Sequence, residues 1–198
     1  MAEREDKNGG RAAGKRYKIP TEERLTRSAI HYLDRYSSSA ANLQRVLERK
    51  VMRAAHFHER DPAEFSEMIE AVVAKCQRTG MVNDVTFAET KVASQRRRGR
   101  SQRQIEARLR SKGVSAEIVT QALAKSDTSD LEAAVIFARR RRLGPWRTRG
   151  DRADYRDKDM AALCRAGFNF DMARQIVDGS PEDLEPESLG SSTHNNIP

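Results

Sequence analysis

The stretch Val82–Leu123, VNDVTFAETKVASQRRRGRSQRQIEARLRSKGVSAEIVTQAL, decides the fold of this chain. Its apolar residues recur three and four positions apart in three short segments, which is the spacing of one helix face. Each segment is bounded by residues that favour a helix start or a helix stop. The expected caps and stops are Asp84, Gly99, Ser101, Gly113 and Ser115. The stretch therefore predicts three short helices, with Ser101–Gln104 as a capping box before the second.

The flanking sequence repeats this plan. When Gly113 is aligned with Gly167, LRSKGVSAEIVTQAL matches LCRAGFNFDMARQIV position by position. On the other side, the spacing of Leu43, Leu47 and Lys50 matches that of Ile105, Leu109 and Lys112, with Val51 in place of the glycine. A period of about 50 residues with three helices per unit is typical of a helical array whose units stack to bury their apolar faces. No segment alternates as a strand would, so the fold class is all-α.

The repeats and the polar ends together predict five segments. These are a disordered basic arm (1–19), helical repeat 1 (20–81), helical repeat 2 (82–128), helical repeat 3 (129–179) and a disordered acidic tail (180–198). In repeat 1, Leu25, Ala29, Tyr32 and Tyr36 are expected on one inward helix face. Residues 51–60 fit either an extension of the second helix or a loop. Thr21 is the expected cap of the first helix of repeat 1, and Asn169 is the expected cap of the last helix of repeat 3. In repeat 3, a polar connection is expected to run to about Asp157.

The charge of the chain points to an acidic partner. The 198 residues carry a formal net charge of +8, with 37% hydrophobic and 33% charged residues. Between Lys91 and Lys112 there are nine Lys and Arg residues and a single acid, Glu106. A run of charge is usually a solvated face, but this imbalance is too local for solvation alone to explain it. Such a surface is typical of proteins that bind nucleic acid or a nucleoprotein.

Two basic blocks are the candidate partner-binding or DNA-binding residues. The first comprises Arg96, Arg97, Arg98, Arg100, Arg103, Arg108, Arg110 and Lys112, and the second Arg139, Arg140, Arg141 and Arg142. Arginine predominates, and its planar fork fits both carboxylate and phosphate groups. The sequence leaves open which of the two it meets. Trp146, beside the second block, is a candidate base-stacking residue but is more typical of packing.

Catalytic, metal and membrane roles find little support. His56 and His58 stand two positions apart, so they do not share a helix face, and no Cys/His set has metal-ligand spacing. No phosphate-binding glycine loop or nucleophile elbow occurs, so we expect no cofactor and no enzyme activity. Cys76 and Cys164 are expected as reduced core thiols. With no signal peptide and no long apolar run, the expected location is cytoplasmic.

The middle repeat carries a family resemblance. The residues that carry it are Val82-Asn83-Asp84, Phe87-Ala88, Arg97-Arg98-Gly99-Arg100-Ser101, Ile105, Leu109, Lys112-Gly113-Val114, Ile118 and Ala122-Leu123. In this order and spacing they resemble the RecX family of recombinase regulators, and the likeness extends over about 25–177. The departures are a longer join between helices two and three of the first repeat, Val51 where a glycine is ordinary, and the expanded region 139–157.

The resemblance implies an elongated, curved array of three three-helix repeats that regulates the RecA recombinase. It implies binding in the groove of the RecA–single-stranded DNA filament, with blocked extension or faster disassembly as the result. We expect reversal of Arg96, Arg97, Arg98 and Arg100 together to abolish inhibition without unfolding the protein. The alternative is a general nucleic-acid-binding helical protein without a recombinase partner.

Overall fold

Helices make up all the regular structure in residues 17–184, the part of the chain that this computed structural model describes. In chain order the α-helices are α1 (Glu22–Leu33), α2 (Ala40–Phe57), α3 (Ser66–Arg78), α4 (Asp84–Arg96), α5 (Gln102–Ser111), α6 (Ala116–Ala124), α7 (Asp130–Arg141), α8 (Arg152–Arg165) and α9 (Phe170–Asp178). Short 3-10 turns occupy Pro62–Phe65, Gly144–Trp146 and Glu182–Leu184. The predicted all-α class is confirmed.

The apolar residues gather in three clusters, one for each set of three helices. We call α1–α3 module 1, α4–α6 module 2 and α7–α9 module 3. Leu43, Leu47 and Val72 are fully buried in module 1. Phe87, Ile105 and Leu109 are buried in module 2, with Ile118 and Leu123 partly buried against them. The largest core, in module 3, contains Leu163, Phe168 and Ile176. Each module therefore has its own small core, and the modules must be joined by other contacts.

Side-chain caps explain most of the helix starts. Thr21, Ser115 and Asn169 each accept a hydrogen bond from a first-turn backbone amide, as the sequence predicts. Ser101 accepts from the Gln104 amide at 3.3 Å, but no return bond from the Gln104 side chain completes the predicted capping box. That side chain instead accepts from Arg100.

Asp84 is not the cap of α4, contrary to the sequence prediction. Asn83 is the cap, and its side chain accepts from the amides of Val85 and Thr86. Asp84 is the first helical residue, which leaves its carboxylate available to another part of the protein. The one-residue difference has a consequence at the module junctions described below.

Residues 51–57 extend the second helix, which answers the question that the sequence leaves open over residues 51–60. α2 continues through Val51 to Phe57, whereas α5 ends at Ser111. A glycine with positive φ follows α5 at Gly113, but Val51 stands at that position in module 1 and is buried in the core. Since valine strongly disfavours the left-handed conformation, α2 does not stop there.

Four other sequence expectations are corrected. Tyr36 is 58% exposed because it lies beyond the end of α1, so it is no core residue. Cys164 is exposed on α8, whereas Cys76 is buried as predicted, and its burial raises the pKa of the thiol. α8 begins at Arg152, capped by Asp151, so the polar connection ends earlier than expected.

The fourth corrected expectation concerns the acidic tail. Leu184, at the end of the last 3-10 turn, is only 2% exposed and packs into the core of module 3. The beginning of the segment expected to be disordered is therefore part of the fold. The remainder of the tail (185–198) and most of the expected basic arm (1–16) lie outside the described residues.

Candidate functional site: arginine-bearing module junctions

The junction between modules 1 and 2 is built by polar groups at helix ends. Ser39, the cap of α2, donates its hydroxyl to the backbone carbonyl of Lys112 at the end of α5. The first backbone amide of α2, from Ala40, donates to Asp84 Oδ1 at 2.8 Å. Arg45 Nη1 also donates to the Ser111 carbonyl at 2.9 Å. Module 1 thus presents a helix N-terminus, and module 2 supplies the acceptors.

The junction between modules 2 and 3 repeats the first two of these bonds. Ser101, the cap of α5, donates to the Ala166 carbonyl at the end of α8, with a distance of 2.6 Å. The first amide of α5, from Gln102, donates to Asp130 Oδ1 at 2.7 Å. Asp130, like Asp84, is the first residue of its helix. Successive modules are therefore joined by one shared scheme.

Glycines allow the close approach that these bonds need. A Cβ at Gly113 would lie 2.4 Å from Ala41 Cβ, and one at Gly167 would lie 2.6 Å from Ser101 Oγ. Both residues also have positive φ, which favours glycine. The glycines that the sequence singles out as helix stops therefore also serve as contact points between modules.

Arg96 is a structural residue, contrary to its place among the predicted binding residues. It is 3% exposed, and its Nη1 pairs with Asp130 Oδ1 inside the junction between modules 2 and 3. A partner could reach it only if the junction opened. Its Nε has no hydrogen-bond partner among the described residues. Charge reversal at Arg96 would place a second carboxylate beside Asp130 inside the junction. We therefore expect the fourfold reversal to destabilise the fold as well as to remove exposed charge.

The other predicted arginines of this region are exposed, and the structure brings the two blocks together. Arg140 Nη1 donates to the backbone carbonyl of Arg98 at 3.3 Å. Gly99 contributes as well, because a Cβ there would lie 2.7 Å from the backbone nitrogen of Phe137. We define the arginine surface as the exposed members of both blocks at this junction, namely Arg97, Arg98, Arg100, Arg103, Arg139, Arg140, Arg141 and Arg142.

The remaining predicted residues lie elsewhere. Arg108, Arg110 and Lys112 are exposed at the C-terminal end of α5, which faces module 1. Lys112 Nζ donates to Asn42 Oδ1 of that module at 3.2 Å. α5 therefore runs between the two junctions, and the first basic block is divided between them.

Beside the second block, Arg147 is held by a buried carboxylate. Asp159 is 2% exposed and accepts from Arg147 and from the Gly144 amide, the latter at 2.8 Å. The hydrogen bond to Asp159 raises the pKa of Arg147. The Arg147 guanidinium also lies 4.1 Å from the ring centroid of Tyr155. Trp146 is partly buried against the core of module 3, which supports packing over base stacking for this residue.

Sequence reasoning missed the acceptors that build the junctions. Asp84 and Asp130 each follow a helix cap directly, and a second polar residue after a cap is the signal that could have identified them. Within residues 17–184 no group of three or more histidine, cysteine, aspartate or glutamate side chains is placed to hold a metal ion. No helix in the same range is long and apolar enough to cross a membrane.

Comparison with known proteins agrees with this architecture. A family model described as RecX, second three-helix domain, matches residues 83–123. Regulatory protein RecX from Myxococcus xanthus is 45% identical over 160 residues, covering 79% of this chain and 86% of that protein. The chain belongs to the RecX family. Regulatory protein RecX from Agrobacterium fabrum is 32% identical over 158 residues, 80% of this chain and 84% of that protein.

The fold also matches a solved RecX structure. The crystal structure of RecX from Lactobacillus salivarius superposes with a TM-score of 0.60, covering 79% of this chain and 94% of that chain at 20% sequence identity. The likeness at that identity concerns the fold alone. The matched family model falls on module 2, where the chain of bonds through α5 connects the RecX module to both neighbours.

Proposed function

We propose that this RecX-family protein inhibits the RecA recombinase by binding the RecA–single-stranded DNA filament in its groove. Contact with successive protomers would block extension of the filament or promote its disassembly. The family membership supports a regulatory role, and the arginine surface supports an acidic, extended partner. Location in the cytoplasm, where such filaments form, is part of the same proposal.

The observation that carries the proposal is the continuity of the arginine surface across the junction between modules 2 and 3. Arginines of the α4–α5 connection, of α5 and of the C-terminal end of α7 meet there, and the bond from Arg140 to the Arg98 carbonyl joins the two blocks. Each guanidinium can form a bidentate pair with a carboxylate or a phosphate. The shared junction scheme holds these groups at a fixed spacing, as a repeating partner requires.

The test is inhibition of the filament's ATPase by increasing amounts of this protein. The triple variant Arg97→Glu/Arg98→Glu/Arg100→Glu reverses exposed charges and leaves Arg96 in place. We expect its inhibitory concentration to rise at least about tenfold, since three charge pairs become repulsive. The matched control Arg35→Glu/Arg49→Glu/Arg78→Glu changes the same charge at exposed positions of module 1 and should inhibit as the wild type does.

Circular dichroism and the melting temperature of both variants establish that they are folded. Equal inhibition by the two variants would show that the arginine surface is not the contact surface. Failure of the wild-type protein to inhibit at any concentration would contradict the proposal as a whole.

The second candidate function is general binding of nucleic acid without a recombinase. The predominance of exposed arginine over acid at the junction favours it as well. Phosphate contacts release counterions, so binding that depends on them weakens steeply as salt rises. Co-sedimentation separates the two candidates. Under our proposal the RecA–DNA filament retains the protein at a salt concentration at which bare single-stranded DNA releases it, and equal retention would favour the second candidate.

A further inference from the structure

Module 1 has a groove of about 750 Å³ between α1 and α2, and none of its lining residues belongs to the arginine surface. Leu25, Leu47 and Val51 form its floor, and Val46 lines one wall. Its rim carries the basic side chains of Lys18, Arg24, Arg27, Lys50 and Arg53 together with His31. Arg27 also pairs with Glu23, which lies outside the groove lining. Among the residues that the structure describes, no carboxylate lines the groove.

The groove exists because module 1 departs from the repeat. α2 continues past Val51, and this extension supplies Arg53 and Ala54 to the groove wall. The opposite wall is the segment 17–20, which is fixed by two bonds. His58 Nε2 lies 2.7 Å from the Tyr17 carbonyl, and Arg24 Nη1 donates to the Ile19 carbonyl at 2.8 Å. The groove is thus a built feature of the fold.

Its position corresponds to a docking face in the other modules. Lys50 and Val51 align with Lys112 and Gly113, which in module 2 receive the N-terminal end of α2 from the preceding module. Within residues 17–184, the residues that line this face all belong to α1, α2 and the segment 17–20. The receiving faces of modules 2 and 3 supply the carboxylates of Asp84 and Asp130, whereas the groove presents cations. Module 1 also has a carboxylate at the equivalent position, Glu22 at the start of α1, but Glu22 is not among the residues that line the groove.

We infer that the groove binds an acidic segment of a partner protein, which places an apolar side chain on the floor and carboxylates against Lys18, Lys50 and Arg53. Lys50 Nζ already donates to Ser28 Oγ, so it holds the rim in place from the other side of the groove. An amphipathic helix in an apolar groove is a common mode of peptide recognition, and a basic rim selects acidic sequences.

Nucleic acid fits the groove less well. Single strands are usually bound by aromatic side chains on which bases stack. Among the described lining residues, Tyr17 is the only phenylalanine, tyrosine or tryptophan, and its ring already packs against Phe57 with the centroids 5.9 Å apart. The apolar floor offers a phosphate chain no favourable contact. A peptide with apolar and acidic side chains can contact both the floor and the basic rim.

The test measures the fluorescence anisotropy of a labelled peptide of about 18 residues, five turns of helix, with leucine on one face and glutamate on the other. The full-length protein is compared with the variant Lys18→Glu/Arg53→Glu, which changes two exposed rim residues and leaves the Lys50–Ser28 bond intact. We expect the variant to bind at least about tenfold more weakly, with the control Arg35→Glu/Arg78→Glu within about twofold of the wild type.

Two further probes complete the experiment. A peptide with lysine in place of glutamate should bind much more weakly than the acidic one, and a labelled oligothymidylate should lose no affinity in the rim variant. Equal peptide binding by the rim and control variants would overturn the inference. A loss confined to the oligothymidylate would overturn it too and assign the groove to nucleic acid. The assay contains no recombinase, so its failure is separate from failure of the proposed regulatory function.

Discussion

The two module junctions share their hydrogen bonds but differ in charge. Both use a cap serine that donates to the end of a neighbouring helix, and both use an aspartate that accepts the first amide of a helix. In the second junction alone of the two, that aspartate, Asp130, also meets a buried arginine, Arg96. Within residues 17–184, the Asp84 carboxylate at the first junction accepts only from the amide of Ala40. The same backbone scheme thus exists with and without an ion pair.

This difference shows how a basic block can serve two purposes. Arg96 begins a run of four arginines within five residues, yet it points into the protein while Arg97, Arg98 and Arg100 remain exposed. The end of α4 explains the division, because Arg96 is its last helical residue and the chain then turns at Gly99. The buried arginine fixes module 3 beside the exposed ones, and the arginine surface depends on that placement.

The largest expected effect comes from removing Asp130, the aspartate of the second junction, and Asp84 at the first junction provides the comparison. We expect Asp130→Ala to lower the free energy of unfolding by about 3–5 kcal/mol, because Arg96 would remain as a buried charge without its partner. Asp84→Ala removes one hydrogen bond to an amide, and the expected loss is about 1–2 kcal/mol. Urea denaturation of the two variants and the wild type measures both values.

A double variant is the control for this comparison. Arg96→Met/Asp130→Ala removes both charges and leaves an apolar side chain in the space, so it should be more stable than Asp130→Ala alone. Similar losses for the two aspartate variants would mean that the ion pair adds nothing to the second junction. Separate transitions in the denaturation curve would show that the modules unfold independently, and the losses would then be assigned to each transition.

A smaller effect is expected from the glycine at the second junction. Gly99→Ala introduces a Cβ 2.7 Å from the backbone nitrogen of Phe137 at a residue with φ of 71°. Gly80→Ala is a close control, since Gly80 has φ of 72° and nothing within 4 Å of its Cβ position. The left-handed conformation costs both variants about 1 kcal/mol. We expect Gly99→Ala to lose about 1–3 kcal/mol more, because backbone must move.

Melting temperatures of the two glycine variants, measured side by side, test this expectation. Equal decreases would show that α4 and α7 can separate without cost, and that the closeness of the two basic blocks is not enforced by packing. In that case Gly99→Ala should also inhibit the filament's ATPase as strongly as the wild-type protein does.

The sequence predicts the helices and the three cores better than it predicts the junctions. Caps, glycines and apolar spacing act over a few residues, so the helix starts at Thr21, Ser115 and Asn169 can be read directly. Arg96 and Asp130 are in contact although they lie 34 positions apart in the sequence. No local sequence pattern distinguishes the buried arginine from the exposed arginines beside it. Which arginines are available to a partner is therefore a property of the assembled modules.

The two cap serines, Ser39 and Ser101, are expected to contribute equally to the stability of the two junctions. Ser39→Ala and Ser101→Ala each remove a helix cap and the hydroxyl that donates across a junction. We expect a loss of about 1–2 kcal/mol in each case, and nearly the same loss in both, because neither hydroxyl contacts the ion pair. Urea denaturation checks the equality. A clearly larger loss for Ser101→Ala would show that the ion pair and the serine bond are coupled, and that the two junctions are not equivalent.

The smallest expected effect belongs to an arginine–aspartate pair that lies outside the junctions. Asp178 accepts two bonds from Arg156 at 2.7 Å, and this lowers the pKa of the Asp178 carboxyl below its ordinary value. A lowered pKa in the folded state means that the pair stabilises the protein above the ordinary pKa, and that this contribution is lost as the pH falls through the lowered pKa. Both side chains are about 40% exposed, so solvent screens the pair. We therefore expect Asp178→Asn to lower the melting temperature slightly at neutral pH and not at all in strong acid. A decrease in melting temperature as large as that of Asp130→Ala would contradict this expectation. It would show that solvent exposure does not weaken the Arg156–Asp178 pair relative to the buried pair at the junction.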